Sequence, residues 1–151
     1  MGEEKLYVSW KEFDSYCVNL SNKLRDWAPN AIMAVARGGL MVGVRLSHLL
    51  EDVKIGYVEV KYYIDSETRK PRPAMVLPPT MNVSSMKVVV VDDVVDTGDT
   101  LKLVIENLML QNPSEIKTAT LTYKKWSKVK PDYYSFGPVD KWVVFPWEVK
   151  P

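Results

Sequence analysis

The chain reads as an α/β fold: a central, mostly parallel sheet flanked by helices. Three observations predict this. Short apolar runs alternate with segments whose apolar residues recur every three or four positions. The run "AIMAVA" (Ala31–Ala36) leads through a glycine turn into such a helical segment, and "VVVV" (Val88–Val91) leads through an acidic Thr-Gly turn into another. Strands without polar alternation are buried on both faces, as in parallel sheets, and helices are the usual crossovers between parallel strands. Sheets of this kind gather ligands at the carboxyl ends of their strands.

The first helix is predicted from "SWKEFDSYCVNLSNKLRDWAP", where Ser9 and Glu12 form a capping box. Trp10, Phe13, Cys17, Leu20, Leu24 and Trp27 make one stripe, expected to be core, and Pro29 ends the helix. After the strand Ala31–Ala36 comes "RGG", then "LMVGVRLSHLL" with the spacing of a second helix, on which His48 is read as packing. "VKIGYVEVKYY" (Val53–Tyr63) alternates like a strand, and "IDSETRKPRPAMVLPPTMN" (Ile64–Asn82) reads as a long polar loop, mobile and functional. A buried strand at Lys87–Val91, a helix at Thr100–Leu110 and a strand at Lys117–Lys124 follow. The aromatic, proline-interrupted tail "DYYSFGPVDKWVVFPWEVK" suits a flap or edge strands.

At 151 residues, with no linker or repeat, residues 1–151 read as a single domain with one core. Twenty Lys and Arg balance nineteen Asp and Glu, and the net charge of +1 offers no bulk attraction to nucleic acid or a membrane. Neither is expected as a partner. The one cysteine, Cys17, has no internal disulfide partner, which suits a reducing compartment. "MGEEKLYVSW" lacks a basic region followed by an apolar one, and no apolar run approaches membrane-spanning length. A cytoplasmic protein is expected.

The chemistry concentrates in "VVVVDDVVDTGDT" (Val88–Thr100). Asp96, Thr97, Gly98, Asp99 and Thr100 lie where a strand gives way to a helix, so unpaired amides and the helix dipole favour an anion such as a phosphate. The Thr97 and Thr100 hydroxyls can add hydrogen bonds, with an ordinary helix cap as the rival reading of Thr100. Asp92 and Asp93 can hold a divalent cation or the vicinal hydroxyls of a sugar. Asp99, an acid inside an anion loop, is expected to turn to solvent. Neither GxxxxGK[ST] nor GxGxxG occurs, so the nucleotide-triphosphate and dinucleotide loops are excluded.

The same stretch resembles the phosphoribosyl pyrophosphate (PRPP) signature of type I phosphoribosyltransferases. "AVARGGLMVG" resembles that family's pyrophosphate loop, in the form seen in 6-oxopurine (xanthine-guanine) enzymes, and "TLTYKK" with "DYYSFGPVDKWVVFPWE" resembles their base-binding end. The resemblance implies the type I phosphoribosyltransferase fold, with a small hood from about residues 125–151. It implies transfer of the 5-phosphoribosyl group from PRPP to guanine, hypoxanthine or xanthine, with Mg²⁺ as cofactor and a homodimer or homotetramer as assembly.

By the same resemblance, Asp96 is the catalytic base and Asp96 to Thr100 take the 5-phosphate. Asp92 and Asp93 take ribose and metal, Asp93 being the metal ligand. Arg37, Gly38 and Arg69 meet pyrophosphate, with a strained or cis Arg37–Gly38 peptide. Lys124, Trp142 and the Val143 backbone meet the purine. Lys125 competes with Lys124, since strand alternation turns only one of them inward. Trp142 can instead be packing, and Arg69 a solvated loop residue. Two other functions remain open: a non-catalytic PRPP- or nucleotide-sensing regulator on the same fold, or a phosphoribosyltransferase for another base such as adenine or uracil.

Overall fold

The computed structural model describes residues 4–151, so the reading of the first ten residues as free of a targeting signal falls partly outside it. The main sheet contains β2 (Ala31–Ala36), β3 (Lys54–Ile64), β4 (Pro71–Leu77), β5 (Lys87–Val95), β6 (Glu115–Tyr123) and β7 (Tyr133–Tyr134), in the order β4-β3-β2-β5-β6-β7. Every neighbouring pair is parallel except the edge pair of β3 and β4. The predicted mostly parallel α/β architecture is therefore present.

Helix α1 (Trp10–Arg25) starts at the predicted capping box: the Glu12 amide donates to Ser9 Oγ and the Ser9 amide to Glu12 Oε1, both at 3.1 Å. With α2 (Gly38–Leu49) it covers one face of the sheet, where Phe13, Cys17, Leu20, Leu24, Val42 and Leu46 meet Ile32, Val89, Val91 and Leu121. Helix α3 (Asp99–Met109) covers the other, burying Leu101, Val104 and Leu108 against Met33, Val35, Val88 and Val90. Successive strand residues thus feed opposite cores, which is why the central strands are apolar throughout. Each large aliphatic side chain so buried is worth about 1.5–3 kcal/mol.

The structure corrects several sequence expectations. Trp10 is 55 % exposed rather than core, because it precedes the sheet-covered part of α1; its ring instead meets Phe13 edge-on and Trp147 at a tilt. Trp27 lies beyond the helix end, half-buried. The expected loop Ile64–Asn82 is mostly a hairpin: the Asp65 amide donates to Lys70 O, and Pro71–Leu77 pairs with β3. Two prolines are tolerated there because an edge strand has one side that no ladder uses. The buried strand does not stop at Val91 but continues through both acids to Val95, since Asp92, Val94 and Val95 still pair with β6. Helix α3 starts at Asp99 behind Gly98, so Thr100 is not its cap.

The hood draws on both ends of the chain. Strand β1 (Lys5–Tyr7), absent from the sequence reading, pairs in parallel with β8 (Trp142–Val144) as a separate two-stranded sheet. The following turn, Pro146–Glu148, lays Trp147 flat on Phe145 and edge-on to Phe13 of α1. Among the described residues, no helix is long and apolar enough to cross a membrane.

Candidate active site

Strand β2 has β3 on one side and β5 on the other, so the loops after β2 and β5 leave in opposite directions and open a crevice at their carboxyl ends. Gly38 and Gly39 let α2 start directly on β5: a side chain at Gly38 would collide with the Asp93 carboxylate, and a Cβ at Gly39 would lie 2.5 Å from Val91 O. That close approach is what "RGG" is for. The cis peptide in this loop is Ala36–Arg37, not the expected Arg37–Gly38, which is already part of the entry into α2.

Consecutive strand residues face opposite ways, and the two acids use this. Asp92 lines a cleft of about 300 Å³ with Tyr62, Asp96, Thr97, Gly98 and Thr100. Asp93 lines a different cleft, with Arg37, Gly38, Trp147, Glu148 and Lys150. Each carboxylate accepts the next backbone amide, Asp93 N to Asp92 Oδ1 at 2.8 Å and Val94 N to Asp93 Oδ1 at 2.7 Å. Both titrate higher than an ordinary carboxylate. Burial is the main cause for each, reinforced for Asp92 by the charge of Asp93 and for Asp93 by that of Glu148.

The loop from Asp96 to Thr100 turns through Gly98, whose φ of 97° falls in the left-handed region. The Asp99 amide donates to Thr97 Oγ1 at 3.2 Å, which leaves that hydroxyl's own proton free for an anion. Tyr62, on the hairpin, shares a 3.1 Å hydrogen bond with Thr100 Oγ1 and so brings β3 over the loop. Asp99 does not enter this cleft. It is half-buried, rather than free in solvent, and lines an adjoining groove with Lys70, Arg72, Lys102 and Lys128.

Across the crevice, Lys124 is only 6 % exposed while Lys125 points outward to Asp140, so the inward lysine is the first of the two. The Lys124 ammonium donates to Lys141 O and lies 5.4 Å and 5.8 Å from the ring centres of Trp126 and Trp142. Trp142 is 53 % exposed and not packing filler; Val143, next to it, is buried with its backbone paired to β1. Asp96 is exposed and accepts a 2.7 Å hydrogen bond from Trp126 Nε1.

The structure therefore brings together Asp92, Asp96, Thr97, Gly98 and Thr100 on one side, Arg37, Gly38 and Asp93 on another, and Lys124 with Trp142 under the hood. It does not bring Arg69 to Arg37. Arg69 is exposed in the hairpin turn, where its amide donates to Asp65 O, and Arg37 is instead joined by Lys61 and Glu59. Sequence reasoning missed Tyr62, Lys61, Glu148 and Trp126. Only "KKW", an aromatic directly after the paired lysines, hinted at the last of these.

A model of the phosphoribosyl transferase domain matches residues 10–151. Xanthine-guanine phosphoribosyltransferase of Gluconobacter oxydans is 33 % identical over 80 % of this chain and 69 % of its own length. The enzyme of the same name from Idiomarina loihiensis is 30 % identical over 96 % and 88 %. The crystal structure of purine phosphoribosyltransferase from Pyrococcus horikoshii Ot3 superposes with a TM-score of 0.91 at 44 % identity, covering 97 % of this chain and 96 % of that one. Crevice, acidic loop and similarity agree, and the chain belongs to the phosphoribosyl transferase domain family.

Proposed function

We propose that this protein is a purine salvage enzyme that transfers the 5-phosphoribosyl group of PRPP to guanine, hypoxanthine or xanthine. The bond from C1 of the ribose to pyrophosphate breaks, a bond from C1 to purine N9 forms, and the N7 proton passes to Asp96. A base in that position contributes roughly 10² to 10⁴ in rate. The 5-phosphate sits on the amides and hydroxyls of Thr97 to Thr100, Asp92 takes the ribose hydroxyls, and Arg37 stabilises the departing pyrophosphate, aided by Lys61.

The donor set suits Mg²⁺. Asp93, with Glu148 in the same cleft, offers hard oxygen ligands, and no group of three or more metal-binding side chains exists among the described residues. Magnesium characteristically takes one or two carboxylates and completes its shell with water and substrate oxygens. Held at Asp93, it would offset pyrophosphate charge.

The observation that carries the purine assignment is the buried Lys124 ammonium beside exposed Trp142. Ammonium has donors only, so it pairs with a 6-oxo group and leaves the 6-amino group of adenine without an acceptor. Sites built on such pairing discriminate by up to about 10⁴ to 10⁵. The deciding experiment assays guanine, hypoxanthine, xanthine, adenine and uracil with PRPP and Mg²⁺. Nucleotide from the oxopurines is expected, with adenine and uracil at background, and Asp96→Asn lowering kcat by about 10² to 10⁴ while PRPP still binds. Equal use of adenine would sink the assignment; PRPP binding without turnover on any base would favour a regulator. A homodimer or homotetramer is implied by the family resemblance, to be checked by sedimentation.

A further inference from the structure

We propose that Trp126 is a positioning residue for this reaction: its indole N–H fixes the Asp96 carboxylate where the purine N7 proton has to be received. The inference rests on the phosphoribosyl-transfer reading of the site. Its first support is the 2.7 Å bond from Trp126 Nε1 to Asp96 Oδ1, formed between two exposed residues thirty positions apart.

The backbone around Trp126 is built to deliver that bond. The Lys124 amide donates to Val95 O at 2.8 Å, Lys125 N to Val139 O at 2.9 Å, Ser127 N to Lys124 O at 3.0 Å and Lys128 N to Thr97 O at 3.1 Å. Ser127 Oγ closes the turn by donating to Val129 O at 2.7 Å, and Val129 presses on Gly98, where a Cβ would lie 2.6 Å from Val129 Cγ2. Residues 124–129 thus clasp the phosphate loop on both sides of Asp96, and Trp126 is the member that reaches the carboxylate.

An indole N–H is a donor only, so it can orient a base without competing for its proton, and it leaves Oδ2 free to accept from N7. An exposed aspartate at a strand end otherwise samples several rotamers, and a base that wanders loses rate. The same ring flanks the Lys124 ammonium at 5.4 Å. Because O6 and N7 are adjacent on a 6-oxopurine, one side chain sets the spacing between the two groups that read them.

Trp126→Phe keeps a ring beside Lys124 and removes the N–H. It is expected to lower kcat with PRPP and guanine about tenfold, leaving KM for PRPP unchanged. In an Asp96→Asn background the same substitution should change the residual kcat less than about twofold. With Trp126 in place, its indole proton resonance should move upfield on Asp96→Asn substitution. Three results would each overturn the proposal: a Trp126→Phe enzyme within about twofold of the unsubstituted protein, an equal tenfold loss in the Asp96→Asn background, or an indole resonance indifferent to Asp96→Asn. The resonance is read on proteins with Trp126 intact, so it decides even where the Phe variant does not fold. An unsubstituted protein that forms no nucleotide would overturn the phosphoribosyl-transfer reading instead.

Discussion

Asp92 and Asp93 stand side by side in β5 yet open into different clefts, each carboxylate tied to the amide that follows it. Their raised titration sets the sign of a stability prediction. A carboxylate with a raised folded pKa favours folding fully only below its unfolded value, and that contribution is lost as pH rises through the folded value. Burying the two carboxyls therefore opposes folding at any pH where the unfolded chain ionises them. Asp92→Asn should raise the thermal midpoint of the ligand-free protein by roughly 2–4 °C while weakening turnover, measured by calorimetry and assay on one preparation. At this scale the acids and the glycines were legible, because turn chemistry is local, whereas Lys124 came by resemblance and only its burial separates it from Lys125. Trp126 and Tyr62 were not, since their partners lie 30 and 38 positions away.

At the scale of elements, the proposed phosphate loop, Asp96 to Thr100, depends on one backbone conformation. Gly98 combines a φ of 97° with Val129 in the space that a Cβ would need. A left-handed non-glycine residue costs about 1–2 kcal/mol before any clash is counted. Gly98→Ala should lower stability by at least that much and raise KM for PRPP, as read by denaturant unfolding and steady-state kinetics; unchanged values in both would refute this role for the loop. Long periodic segments such as α1 were legible because their pattern repeats over several turns. The edge strand β4 was not, since two prolines and a polar turn look like loop until β3 is placed beside them. Strand β1, three residues long, has no stability apart from β8.

At the scale of the whole molecule, α1 seals the core over Cys17, whose thiol burial pushes up to about 12, with Asp14 adding and Arg45 opposing. A thiol ionises more readily in the unfolded chain, so its contribution to stability holds below the ordinary value of 9.0 and declines as pH rises toward 12. Alkylation of the native protein at neutral pH should therefore be negligible and follow global unfolding; rapid native-state labelling would show that α1 opens locally. The two-sided core and the acidic strand-to-helix turn were set within the linear chain, because hydrophobic period and turn chemistry act over a few residues. It took the folded arrangement to give Asp92 and Asp93 separate clefts, to join both chain ends in one hood, and to carry an indole to Asp96. Those outcomes depend on which distant strands pair and which loops then face one another, and such pairings leave no period in the chain.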